Sequence, residues 1–346
     1  ARTLLGELPS SDLPDERRVW LAGQLTGLET SARVLAGEPV GFVDQVEAYF
    51  QVRPAMGDES AYADAHAQLS ALLPGEGSLG ERRAAYRKAN EVPPDRLGEA
   101  VEAVSSLLRD RVRGGFGLPE GETVDYEVVT DRPWSGFNYY LGGLRSRVAI
   151  NADLPVGLGA LPALVAHESY PGHHTEHCRK ETGLPGRPEL TVFLVNTPEC
   201  LLAEGLADLG LDGVGLAEGW GPLVQDLYAD LGIRYDGELA EQVARAGAPL
   251  GSVQQDAALL LHDRGGDLEE VVAHLERWAL LPRAHADKAV QFLTDPLWRA
   301  YISTYVEGER LLAAWLAARP EGQPVGDRFV RLLDEQLTPS GIRAQL

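Results

Sequence analysis

His167-Glu168-Ser169-Tyr170-Pro171-Gly172-His173-His174 is the stretch on which the reading of the whole chain turns. It lies in an apolar-periodic segment, about residues 158–181, that reads as a helix. Four of the eight histidines, His167, His173, His174 and His177, fall within eleven residues, together with Glu168 and Glu176. A lone helical histidine is ordinarily a packed or surface residue. So many ligating side chains in so short a stretch point to a metal.

The spacing then has to be explained. Histidines at i and i+4 share a helix face and a metal, and the Glu after the first acts as base on an activated water. Here the second histidine comes two residues late, and in an unbroken helix positions i and i+6 face apart. Pro171 removes a backbone donor and Gly172 tolerates unusual backbone angles, so the turn is expected to bulge. Looping out two residues restores His-Glu-x-x-His, with His167 and His173 as ligands and Glu168 as base. His174 takes the second position if the bulge absorbs three. The inverted motif His-x-x-Glu-His also fits, with His173 and His177 as ligands and Glu176 as base.

A catalytic zinc takes three protein ligands and keeps one position open. The next expected helix, opened by Asn196-Thr197-Pro198, carries Glu204 and Asp208 four residues apart on one face. Glu204 is the candidate third ligand. Asp208 is the candidate acceptor for the outer N–H of a ligating histidine, fixing its tautomer. Glu199 competes, but a first-turn acid has a helix-dipole explanation.

Outward from the motif, helical periodicity dominates. Helices are expected near 11–36 (capped by Ser11 and Asp12), 41–53, 59–73, 79–91 and 95–114. After the motif they are expected near 197–212, 219–234, 237–247, 249–264, 267–278, 283–293 and 296–317. Between the two sets, residues 123–129 alternate as a strand and residues 146–151 read as a second. The stretch between these strands is short and shows no crossover helix, so the sheet is expected to be small and antiparallel. The fold class is therefore mainly α with a small antiparallel sheet beside the motif helix. The chain reads as one unit over 1–346, with a helical part at 1–115 and the sheet and metal-site helices at 116–346.

Composition narrows the function classes. The chain has 346 residues, 24% charged and 44% hydrophobic, and a net charge of −21. An acidic balance argues against a phosphate-tracking nucleic-acid binder. No run of apolar residues is long enough to span a bilayer, so no membrane partner is expected. The start, Ala1-Arg2-Thr3-Leu4, shows no signal peptide, and the lack of an initiating Met leaves room for residues upstream. The two cysteines, Cys178 and Cys200, form no CxxC, and a reducing compartment is expected, with a single Cys178–Cys200 bridge left open. The expected location is cytoplasmic. Oligomeric state is not legible.

The motif resembles the HE-x-x-PGHH signature of the bacterial domain-of-unknown-function family eight-eight-five, grouped with gluzincin-type HExxH metallopeptidases. Arg147-Val148-Ala149-Ile150-Asn151 is similar to that family's strand before the motif helix, Ala203-Glu204-Gly205-Leu206 to its Glu-Gly-Trp segment, and Tyr305-Val306-Glu307-Gly308 to its Tyr-x-x-Gly helix. The likeness spans about residues 125–320. It implies a gluzincin-like helical metallopeptidase fold, zinc held by the two histidines and Glu204, and Glu168 as base. The family carries Gln at the position of Glu176, which favours the forward motif. This chain departs from the family at Leu206, which replaces Trp, and at His177; it is also shorter than many members.

The expected chemistry is zinc-dependent hydrolysis of a peptide or other amide. Tyr305, from the Tyr-x-x-Gly resemblance, is the first candidate to meet the oxyanion; Tyr301 and His285 follow. An exposed strand over Ser146 to Asn151 is the candidate edge for an extended substrate, and Arg145 and Arg147 are candidates for a substrate carboxylate. Two other classes compete. A non-haem iron or di-iron protein would use Glu-x-x-His pairs, and no histidine here has Glu three residues before it; Glu270, four before His274, is the nearest. A non-catalytic scaffold would have no need of Glu168.

Overall fold

The computed structural model describes residues 1–132, 134–153 and 155–346. The first part of the chain forms α1 (Arg2–Glu7), α2 (Asp15–Leu35), α3 (Phe42–Phe50), α4 (Glu59–Leu72), α5 (Leu79–Ala89) and α6 (Leu97–Gly115). Three strands follow: β1 (Thr123–Val129), β2 (Gly136–Gly142) and β3 (Arg145–Asn151). Next come α7 (Leu161–Glu168), α8 (His173–Gly183), α9 (Pro198–Asp208), α10 (Gly210–Gly213), α11 (Trp220–Asp230) and α12 (Gly237–Gly247). The chain closes with α13 (Val253–His262), α14 (Leu268–Trp278), α15 (Arg283–Thr294), α16 (Ile302–Ala317), α17 (Val325–Asp334) and α18 (Pro339–Arg343). The architecture is mainly α with one small sheet, as the periodicity implied. Among the described residues, no helix is long and apolar enough to cross a membrane.

Local chemistry sets several boundaries. Ser78 and Glu81 close a capping box at α5, and Asp267 and Glu270 close one at α14, so Glu270 serves its own helix start. The Thr197 side chain caps α9, with Pro198 at its first position. Ser11 and Asp12 do not cap the long N-terminal helix. Pro14 precedes it, and the Ser11 hydroxyl donates to the Leu8 carbonyl at 2.7 Å. The pattern beyond residue 317 gave no helix in the sequence reading, yet α17 forms there and buries Phe329, Leu332 and Leu333.

The sheet corrects the antiparallel expectation. Its order is β1-β3-β2; β3 pairs in parallel with β1 and antiparallel with β2. A parallel pair needs a crossover, and a helix was the only crossover the sequence argument weighed. Here β2 is the crossover, so the chain reverses twice between β1 and β3. Because β3 is central, the strand edge expected over Ser146 to Asn151 is already hydrogen-bonded on both sides. The free edges belong to β1 and β2.

Two apolar cores result. One gathers Phe50 of α3, Leu69 of α4, Leu201 of α9, Leu275 of α14, Trp315 of α16 and Phe329 of α17. The other gathers Val104 of α6, Ile150 of β3, Val165 of α7 and Tyr228 of α11. Helices from the first 115 residues contribute to both. Helices α7 and α9 belong to different cores and pack on each other, so the motif and Glu204 meet at the seam.

Helix α9 also crosses α16 with backbone against backbone. A Cβ added at Gly205 would lie 2.4 Å from the Gly308 carbonyl carbon, and one at Gly308 would lie 2.6 Å from the Leu201 oxygen. Overpacking of this kind costs about 1–3 kcal/mol, sometimes more. Gly205→Ala is therefore expected to lower unfolding stability by at least that amount in urea denaturation. Gly98→Ala, on open surface of α6, is expected to be neutral or to stabilise by up to about 1 kcal/mol. Equal stabilities for the two variants would contradict the close crossing.

Candidate metal centre

The segment read as one bulged helix is two helices. Helix α7 ends at Glu168 and α8 begins at His173, with a cis Tyr170–Pro171 bond between them. The Gly172 N–H donates to the Ala166 carbonyl at 2.8 Å, and a Cβ at Gly172 would sit 2.0 Å from the His167 oxygen. Only glycine lets the start of α8 fold this tightly against the end of α7. Thr175 secures the turn: its N–H and its hydroxyl both donate to the Ser169 carbonyl, at 3.2 and 3.0 Å.

This reversal brings the two imidazoles together. The His167 and His173 rings stand edge to face with centroids 4.7 Å apart. From α9, Glu204 reaches between them, with Oε2 3.3 Å from His167 Nε2 and Oε1 3.7 Å from His173 Nε2. One ligand atom from each of His167, His173 and Glu204 can be chosen so that all lie within 4.8 Å of one another. Glu204 Oε2 is buried and makes no hydrogen bond. An unpartnered buried carboxylate oxygen beside two imidazole nitrogens is the donor set a divalent cation requires.

The surrounding groups hold these ligands. His167 Nδ1–H donates to Asp208 Oδ1 at 2.9 Å, leaving Nε2 toward Glu204, the arrangement anticipated for Asp208. The Tyr301 hydroxyl donates to Glu204 Oε1 at 2.7 Å. Tyr301 was named as an oxyanion candidate; it is occupied instead with orienting the carboxylate. Tyr305, one turn on, is half-buried and its ring centroid lies 6.5 Å from that of His167. Glu168 is 6% exposed, and the Asn138 side chain of β2 donates to its backbone carbonyl at 2.6 Å.

Three expected alternatives are elsewhere. His174 is fully buried on the far side of α8; its Nδ1 lies 2.8 Å from Ser146 Oγ and its Nε2 3.1 Å from Glu122 Oε2. His177 stacks on Tyr140, with ring centroids 4.7 Å apart. Glu176 pairs with Lys180 at 2.7 Å, and Lys180 also reaches Glu199 at 2.6 Å. The inverted motif therefore does not form, since its proposed base is neutralised by a lysine. Glu199 serves this ion pair and accepts from Trp20 Nε1 at 3.0 Å, so its first-turn position is not its whole explanation. His285 is exposed on α15. Arg147 lies on the outward sheet face, over the Tyr139 ring and 3.4 Å from Glu127. Cys178 and Cys200 are buried and unpaired. Asn138 and Glu122 were not singled out by sequence, where neither stands in a recognisable pattern.

Burial and mutual charge perturb the titration of all four groups. Burial opposes a charge on His167, but Asp208 and Glu204 outweigh it and hold the imidazole well above its ordinary value. Burial and the neighbouring His167 push His173 down to about 4. Glu204 is held ionised: burial works against its charge, yet His167 and His173 bring it down to about 2. Burial pushes Glu168 up to about 7, with His167 opposing and Glu204 adding to the rise.

No family model matches the sequence, and no curated protein sequence matches it. Solved structures do share the fold. The structure described as "the putative lipoprotein from Colwellia psychrerythraea" superposes with a TM-score of 0.60 at 15% identity, over 99% of this chain and 54% of that one. "A putative lipoprotein of unknown function from Shewanella oneidensis" superposes with a TM-score of 0.58 at 13% identity, over 99% of this chain and 69% of that one. The chain thus spans about half the length of the first, and the likeness is one of fold. Both neighbours are described as putative lipoproteins, and this overturns the cytoplasmic expectation. That expectation rested on the absence of a visible leader, which carries no weight in a sequence that does not begin with Met.

Glu168 makes a pH prediction. Its folded value, about 7, exceeds its ordinary 4.5, so the folded state binds this proton more tightly than the unfolded chain does. The associated stability is full below pH ~4.5 and is lost as pH rises through about 7. With a chelator present, Glu168→Gln is expected to raise Tm over wild type, slightly at pH 5 and most above pH 7. A Tm difference independent of pH would contradict the assigned environment.

Proposed function

We propose that this chain is a zinc-dependent hydrolase that cleaves the amide bonds of peptides or related substrates. The observation that carries the reading is the convergence of His167, His173 and the unpartnered oxygen of Glu204 beside the buried Glu168. Two imidazoles and one carboxylate would hold the metal, the protein-ligand count of a catalytic zinc. When bound, zinc supplies Lewis acidity, polarising the scissile carbonyl and acidifying water.

The chain's own residues do the remaining work. Glu168 takes a proton from the attacking water and returns it to the leaving nitrogen, a task suited to a group titrating near neutral pH. Tyr301 and Asp208 orient Glu204 and His167. With Tyr301 so engaged, Tyr305 is the group left to donate to the carbonyl oxygen as charge develops on it. The outer edge of β2, which runs beside Glu168 through Asn138, is the edge an extended peptide would use.

The HE-x-x-PGHH likeness to family eight-eight-five supports the same reading. We take the chain to be exported, as its lipoprotein fold neighbours suggest, which makes peptides outside the cytoplasm its natural substrates. Two histidines and a carboxylate also suit ferrous iron. The base beside them has a use in hydrolysis and none in holding iron.

Metal analysis of purified protein is expected to find one zinc per chain, lost in His173→Ala. Glu168→Gln should keep the zinc and lose about 10²–10⁴-fold in peptide hydrolysis. Tyr305→Phe should keep the zinc and lose about 10²–10³-fold in kcat. Iron in place of zinc, or undiminished hydrolysis by Glu168→Gln across a peptide library, would overturn the proposal.

A further inference from the structure

Glu122 belongs to no motif in the sequence, yet it is completely buried and meets four side chains from α6, α8 and the break before it. It sits immediately before β1. Its Oε1 accepts from Arg109 Nε at 2.7 Å and from Arg113 at 3.2 Å, both on α6. Its Oε2 accepts from the Tyr170 hydroxyl at 2.6 Å and lies 3.1 Å from His174 Nε2. Tyr170 and His174 are the residues on either side of Pro171-Gly172-His173. One carboxylate oxygen therefore holds both flanks of the break between the two imidazoles, and two arginines hold the carboxylate.

Buried ionic networks are poor sources of net stability, because desolvation offsets much of the attraction. What they supply is direction: each hydrogen bond fixes an angle as well as a distance. Here the direction has a use. Helix α7 ends at the break and α8 starts from it, so the orientation of Tyr170 against His174 sets where His173 stands relative to His167. Ser146, 2.8 Å from His174 Nδ1, fixes the same ring from the sheet.

We infer that Glu122, acting through Tyr170 and His174, is a positioning residue that sets the separation of the two histidine ligands and thereby the affinity and geometry of the metal. The inference rests on the zinc reading above. It makes Glu122 a partner of the metal site without contact to any ligand.

The test uses the full chain, with zinc Kd from chelator competition and the visible spectrum of the cobalt(II)-loaded protein as readouts. Glu122→Gln and Tyr170→Phe are expected to raise the zinc Kd about tenfold or more and to weaken or shift the cobalt bands. Tyr62→Phe is the matched control: its hydroxyl donates at 2.8 Å to another buried carboxylate, Asp256, in the other core. It should lower Tm and leave Kd and spectrum unchanged. If Glu122→Gln does not fold, Tyr170→Phe, which removes a single hydroxyl, decides. A folded variant with wild-type Kd and spectrum overturns the inference alone, as does a control that shifts metal binding equally. Wild-type protein that takes up neither metal overturns the zinc reading, and the inference with it.

Discussion

The site depends on one backbone contact, the approach of Gly172 to the last turn of α7. Its N–H reaches the Ala166 carbonyl, and the space a side chain would fill is taken by the His167 oxygen. With that contact the chain leaves one helix and enters the next within four residues, and His173 returns to face His167. Without it, two histidines six positions apart would point away from each other. The donor set, the placement of Glu168 and the reach of Glu204 all presuppose this reversal.

Around the reversal the protein concentrates negative charge and then holds it in place. Glu204 is kept ionised although nearly inaccessible, Asp208 braces the outer nitrogen of His167, and Glu168 is buried beside them without a fixed cation. By contrast, the neighbouring acids Glu176 and Glu199 share an ion pair with Lys180, and Glu122 pairs with Arg109 and Arg113. Of these acidic groups, the ones left without a lysine or arginine are Glu168, Glu204 and Asp208, around His167 and His173. That asymmetry is the electrostatic reason to expect a metal there.

Much of this was legible in the sequence, for identifiable reasons. Helix existence followed from 3.6-residue periodicity, and the Glu204–Asp208 pair from i, i+4 spacing on one face. The histidine cluster announced itself by density. What was not legible depended on partners distant in the chain. His174 as a fallback ligand, and Glu176 as base of the inverted motif, stayed open until Glu122 and Ser146 were seen to engage the first and Lys180 the second. The roles of Tyr301 and Tyr305 were separable only once Glu204 was seen bonded to the first. Strand β2 was not among the expected strands, and missing it inverted the relation of β1 to β3.

The crossing of α9 and α16 through Gly205 and Gly308 leaves no side chain between the two backbones. Glu204 on one helix and the tyrosines at the start of the other are therefore locked into a common frame with no adjustable spacer. Strand β2, by contrast, presents exposed Phe137 and Leu141 on an edge strand, where substitutions meet solvent and not packed backbone. The helix crossing is thereby closed to larger side chains and the strand open to them. Sequence change is therefore accommodated more readily on the sheet than where the two helices touch.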